Sequence, residues 1–182
     1  MQISEQSYTL KNGCSCTVRS PGPADATQML EYMLTIAGET NNISRYPNEY
    51  AYTQQEEAEQ LQTVLNSPVS AMASVFIEGR LVGNVSVSQI SALSRAAHRA
   101  GLGIAVLKEF WGLGLGTILM DIAMDAAWDM GFEQVELDVV STNETAINLY
   151  KKFEFEAFGL HPKAQRYRDG NYADLLLMQR TF

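Results

Sequence analysis

Alternating and helix-period stretches succeed one another along this chain. Near the start, Tyr8 to Val18 alternates around Asn12-Gly13. Asn-Gly between β-prone runs predicts a hairpin, because both residues tolerate positive φ. Pro21-Gly22-Pro23 breaks the pattern. Met29, Leu30, Met33, Leu34 and Ala37 then recur at helical spacing, which predicts a helix from about Asp25 to about Gly38. A polar, irregular stretch follows, with Arg45, Tyr46 and Pro47 at its centre. Thr53 and Glu56 form a capping box, and Ala58, Leu61, Val64 and Leu65 give a second helix, 53–66, its apolar side.

Ser70–Ile77 and Leu81–Ile90 predict two strands around the turn Glu78-Gly79-Arg80, and a third covers His98–Val106. Beyond the stretch WGLGLGT, Leu115, Ile118, Leu119, Ile122, Ala126 and Met130 line one helix face, and Asp121, Asp125 and Asp129 another. Gly131 stops that helix. Gln134–Val140 alternates as a strand. Ser141 and Glu144 make a capping box that opens a helix to about Lys152. Phe153–Phe158 and Ala173–Gln179 predict two closing strands, linked through Arg168-Asp169-Gly170-Asn171. The order predicts an α/β fold: a central twisted mixed sheet flanked by helices, in a single domain over 1–182.

Composition narrows the function classes. With 46% hydrophobic and 19% charged residues, the chain reads as a globular protein. No apolar run reaches membrane-spanning length, and MQISEQSYTL lacks a basic segment followed by an apolar one. The expectation is a cytoplasmic protein without a membrane partner. A net charge of −8 disfavours nucleic acid, whose phosphates want clustered Lys and Arg. It suits a cationic partner such as an amine, although an acidic surface is also an ordinary solubility feature. Cys14, Cys16, His98 and His161 make no zinc spacing, so no metal is expected. One buried strand face accounts for both cysteines.

The candidate chemistry lies at Trp111–Thr117. A glycine loop between a strand and a helix presents unpaired N–H groups at the positive end of the helix dipole, a ready anion site. Close packing of loop on strand explains the same glycines equally well. Two phosphate patterns fit badly. A P-loop needs lysine after its last glycine, and none follows Gly116. A dinucleotide fingerprint needs Gly or Ala where Thr117 stands, and Asp138 comes late for its acidic partner.

A third pattern, Gln/Arg-x-x-Gly-x-Gly/Ala after a strand, reads here as Trp111-Gly112-Leu113-Gly114-Leu115-Gly116. It resembles motif A of the GNAT superfamily of N-acetyltransferases, with Trp111 in place of the common Arg or Gln. That variant is similar to the branch of ribosomal-protein alanine and spermidine acetyltransferases. Leu102 to Phe110 resembles the strand before that cradle. Asn143 to Phe153 resembles the superfamily's Asn-x-x-Ala-x-x-Leu-Tyr helix, with Glu154 where glycine is usual. The similarity covers roughly 70–160, and the stretch from Glu39-Thr40 through Pro47 resembles a bacterial subgroup of unsettled substrate.

The resemblance implies a GNAT-like acyl-CoA N-acyltransferase fold with its two central parallel strands splayed apart. It implies acetyl-CoA as cosubstrate, attacked directly by a primary amine without an acyl-enzyme. The amine would belong to a small molecule, a polyamine or a protein N-terminus. Leu113, Gly114, Leu115, Gly116 and Thr117, with Gly112 before them, would cradle the pyrophosphate. The edge Ile104, Ala105 and Val106 would pair with pantetheine, with an N–H near Val106 facing the thioester carbonyl. Asn143 would bond pantetheine or simply start its helix. Tyr150 would be the general acid for the leaving thiolate, or else a core tyrosine. No single general base stands out; Glu39, Glu78, Asp138, His98 or a water chain remain. A non-catalytic acyl-CoA-binding module on the same fold is the alternative. Sheet-edge pairing through the closing strands would give a homodimer.

Overall fold

The computed structural model describes residues 1–182. Strands β1 (Gln6–Thr9) and β2 (Ser15–Arg19) form the opening hairpin. Gly13 turns it at φ +86, and the side-chain oxygen of Asn12 accepts the Cys14 N–H at 3.1 Å. Only Cys16 is buried, against the expectation for the pair. Cys14 belongs to the exposed turn, outside the strand.

Helices α1 (Ala26–Glu39) and α2 (Gln54–Asn66) follow. The α2 capping box forms as expected: the Thr53 N–H donates to Glu56 at 2.7 Å and the Glu56 N–H to Thr53 at 3.2 Å. Then come β3 (Ser70–Ile77), β4 (Arg80–Gln89), β5 (Arg99–Val106), α3 (Leu115–Asp129), β6 (Gln134–Val140), α4 (Glu144–Lys152), β7 (Glu156–Arg166) and β8 (Tyr172–Thr181).

All eight strands join one sheet in the order β1-β2-β3-β4-β5-β6-β8-β7. Helix α3 packs on the face that carries Gly83, Val85 and Val87; α1 and α2 lie over the other. Between them Val75, Val82, Leu119, Met120, Val135 and Met178 are fully buried. No helix is long and apolar enough to cross a membrane.

One junction shapes everything near the glycine loop. Only β5 and β6 run parallel, and they pair through three positions, Arg99–Gln134, Ala100–Val135 and Gly101–Glu136. A fork of hydrogen bonds fastens that end: Arg99 Nη2 donates to Glu136 Oε2 at 2.7 Å, and Nε to Oε1. Past Gly101, β5 stays with β4 as far as the Val106–Gly83 pair, whereas β6 stays with β8 as far as Val140–Leu175. The sheet opens into a V between them.

The boundaries of α4 and β7 differ most from the sequence expectation. Asn143, not Ser141, caps α4; its side-chain oxygen accepts the Ala146 N–H at 3.3 Å. Ser141 is drawn away because its N–H donates to Asp174 of β8 at 2.9 Å. Strand β7 starts later than Phe153 because Glu154 takes φ +63 in the turn that closes α4. It also runs further, past a bulge between His161 and Gln165.

Glu154 holds a left-handed conformation that disfavours any residue with a Cβ, by about 1–2 kcal/mol. Its ion pair with Arg180, at 3.4 Å, leaves its side chain 80% exposed and offsets little of that. Glu154→Gly is therefore expected to stabilise the fold by up to about 1 kcal/mol, less than the full strain because glycine gains freedom when unfolded. Urea unfolding with an unchanged slope checks this.

Candidate active site

The open side of the V is lined by backbone. Ile90 donates to the Arg99 carbonyl at 3.1 Å and Leu107 to the Val82 carbonyl at 2.9 Å. Odd-numbered residues of β5 therefore bond to β4, as the antiparallel alternation requires. Ile104, Val106 and the Leu102 carbonyl point the other way, into the gap; the Leu102 N–H goes to the Glu136 carbonyl, as the parallel Gly101–Glu136 pair requires. This corrects the expected edge. Ala105 turns its polar groups to β4, and its carbonyl also accepts the Tyr32 hydroxyl at 2.7 Å. Ile104 and Val106 stay on the edge, and Leu102 joins them. Burial pushes the Tyr32 phenol far up, so it remains a donor.

Beyond β5 a short helical turn, Lys108–Phe110, leads into the glycine loop. Arg80 holds that turn through Glu109 at 2.7 Å. Gly112 and Gly114 adopt φ +77 and +94, which their neighbours could not do cheaply. Gly116 serves another purpose: a Cβ there would stand 3.0 Å from Leu149 Cδ2, so its bareness lets α3 pack on α4. The N–H groups of Gly112, Leu113, Gly114, Leu115 and Gly116 donate to no protein acceptor. They open α3 from its positive end, an arrangement suited to a diphosphate. Thr117 departs from the expected set, since its N–H returns to the Gly114 carbonyl at 3.0 Å.

Trp111 takes no place among these donors. Its indole N–H donates to the Val106 carbonyl at 2.7 Å. The side chain thus ties the loop to the end of β5 and uses up that carbonyl, leaving the Val106 N–H as the last group on the edge.

Helix α4 borders the other arm of the V. Asn143 spends its oxygen on the cap, and its amide NH2 has no protein partner. Tyr150 is 7% exposed, with its ring 6.0 Å from Phe155. Burial pushes its phenol up to about 12. Its hydroxyl has no protein partner yet is not sealed from solvent, since Arg180 Nε is the one fully buried side-chain donor or acceptor left unpaired.

The base candidates separate by position. His98 lies beside the closed end of the V, where its carbonyl accepts from Glu133 and Gln134. That is about 25 Å along β5 from Val106, too far for proton transfer there. Glu39, at the end of α1, lies at the open end; its Oε2 accepts the Lys108 N–H at 2.8 Å. Next to it is a cavity of about 300 Å³, walled by Ala37, Thr40, Ile43, Arg45, Tyr46 and Tyr167, among others. The α1–α2 connection is stitched over it. Tyr46 stacks under Arg168 at 4.0 Å and accepts the Arg168 N–H at 2.9 Å, and Tyr167 donates to the Asn41 carbonyl at 3.3 Å. The far wall was not legible in the sequence, because β7 meets the connection only through the fold. Neither was the part played by Tyr32, whose place on the apolar stripe of α1 hides its hydroxyl's use.

The sequence profile of the acetyltransferase (GNAT) family matches residues 27–155. The chain belongs to that family. It is 36% identical over 110 residues to an N-alpha-acetyltransferase of Sulfolobus acidocaldarius, covering 55% of this chain and 63% of that protein. It is 33% identical over 107 residues to an L-amino acid N-acetyltransferase of Escherichia coli, covering 58% and 64%. The match thus spans less than two thirds of these curated relatives. Its fold is that of a GNAT-family acetyltransferase from Streptococcus pneumoniae, with TM-score 0.88 and 24% identity over 92% of this chain and 99% of that one. A GNAT-superfamily phosphinothricin acetyltransferase from Sinorhizobium meliloti, solved with acetyl-CoA, gives TM-score 0.79 and 20% identity over 92% and 88%.

Trp111→Phe keeps an aromatic ring but removes the indole N–H that donates to Val106. In this GNAT chain it is expected to destabilise the fold by about 1 kcal/mol. Amide exchange should quicken at Leu107, Phe110, Trp111 and Thr117, the bonded amides of this segment, while α1 and α2 keep their protection. Equal exchange in both proteins would refute the tie.

Proposed function

We propose that this protein transfers the acetyl group of acetyl-CoA directly to a primary amine, with residues 1–182 acting as one unit. The observation that carries this reading is the run of five unpaired N–H groups from Gly112 to Gly116, set at the mouth of the V. The run fits a diphosphate, and the edge Leu102, Ile104, Val106 fits the two amides of a pantetheine arm. Membership of the GNAT family supports the same cosubstrate.

The chemistry follows from four groups. The amine nitrogen attacks the thioester carbon, the C–N bond forms, and negative charge grows on the carbonyl oxygen. The Val106 N–H is the donor for that charge. As the C–S bond breaks, the Tyr150 hydroxyl protonates the departing thiolate. A phenol raised to about 12 stays protonated through the neutral range, so it arrives loaded. Glu39 takes the proton that the amine gives up, directly or through water. Asn143 holds the arm through its amide NH2.

The acceptor enters through the cavity beside Glu39. The two curated relatives are named for acetylating an N-alpha position and L-amino acids. We therefore assign an α-amine, of an amino acid or of a chain N-terminus, as the acceptor class.

Tyr150→Phe is expected to lower kcat at least 100-fold while calorimetry shows acetyl-CoA binding within twofold of the parent. Retained turnover would remove Tyr150 from the mechanism. Absence of both turnover and acetyl-CoA binding in the parent protein would sink the reading. Binding without turnover on any amine leaves the non-catalytic acyl-CoA module instead. Glu39→Gln keeps an acceptor for Lys108 but cannot take a proton. It should cut kcat/KM for the amine about 10-fold or more, with acetyl-CoA affinity unchanged.

A further inference from the structure

A cation stands here where electrostatics disfavours one. Lys11 sits at the tip of the β1–β2 hairpin, and its N–H donates to the Leu113 carbonyl at 3.4 Å. Its side chain runs along Gly114, with Cε 3.6 Å and Cγ 3.9 Å from the point where a Cβ on that glycine would stand. The ammonium is one bond beyond Cε, at the N-terminal rim of α3. That rim already carries roughly half a positive charge from the helix dipole.

Nothing in the protein compensates this. Lys11 takes part in no ion pair; the carboxylates that pair do so with Arg19, Arg80, Arg99 and Arg180. The first turn of α3 contains no acidic residue. None of the chain's lysines forms an ion pair; Lys11 is set apart by standing on a positive helix end, where the dipole disfavours a cation. Such a local conflict is expected at functional or strained positions. The loop Trp111–Thr117 has no charged side chain of its own. Trp111, its one side chain with a strong N–H donor, is engaged with Val106. A bound anion reverses the sign of the arrangement: dipole, N–H groups and ammonium would all face negative charge.

We propose that Lys11 supplies, from the opening hairpin, the positive charge for the phosphate groups of the acyl-CoA held at Gly112–Gly116. The proposal rests on the assignment of that loop as the diphosphate cradle. It adds the hairpin to the site and makes the bound phosphates a bridge between β1–β2 and α3.

Calorimetry with CoA itself, which cannot react, tests this on the intact protein. Lys11→Met is expected to weaken CoA binding roughly 5- to 30-fold, around the low end for a charge-assisted contact because the ammonium is solvent-exposed. Lys11→Arg should restore it to within about threefold, and the Met variant should lose part of the salt dependence. Without ligand, Lys11→Met should melt no lower than the parent, because it removes a repulsion. Unchanged CoA affinity in Lys11→Met would overturn the proposal and leave the cradle standing. So would a loss that Arg does not restore, or a lower melting temperature without ligand. No CoA binding by the parent protein would overturn the cradle as well.

Discussion

Backbone hydrogen bonding is obligatory, and where β5 and β6 part this fold leaves it unmade. After three paired positions β5 and β6 separate, and the Leu102 carbonyl and the polar groups of Ile104 and Val106 lose the strand they would otherwise bond. The break is held in place on both sides. Arg99 and Glu136 clamp the closed end, Tyr32 supports the Ala105 carbonyl from α1, and Trp111 closes off the Val106 carbonyl. What remains is a short edge with its donors and acceptors aimed into a gap. A ligand with peptide-like groups is the natural complement to such an edge.

The glycine loop sits at the mouth of that gap because β5 delivers it there. Its three glycines answer to separate demands. Two permit left-handed backbone, so that successive N–H groups converge, and the third lets Leu149 approach. The protein-contact reading thus holds at Gly116, whereas Gly112 and Gly114 leave bare the N–H groups that the phosphate reading calls for. The N–H run has no internal acceptor, so this end of α3 favours a negative partner over the packing of any side chain.

Burial decides what the side chains around the gap can do. Tyr150 and Tyr32 are both held protonated by desolvation, but they differ in their partners. Tyr32 is bonded to backbone and serves the strand, whereas Tyr150 is unpaired and can serve a reacting atom. Glu39 reaches the open end only because α1 ends beside Lys108. His98 directly precedes the strand that ends at Val106 and so stands at its wrong end. Chemical type alone does not separate these two.

Local pattern carried the element order, both early helices, the alternation of β3 to β6, the glycine loop and the Tyr150 helix. Each of these depends on neighbours within a few residues: a cap, a period, a turn residue. The sequence also held the resemblance that pointed to the family. What it could not express were contacts across the sheet. Asn143 displaced Ser141 as the cap because β8 claimed the Ser141 N–H. Ala105 left the edge because strand alternation, set by its register with β4, turns every second residue away. Tyr46 and Tyr167 enclose one cavity although 121 positions separate them in the chain. Sequence thus determined which elements form and which groups they carry. Tertiary structure alone decided which of those groups face the gap, because that depends on strand register and on which distant segments pack together.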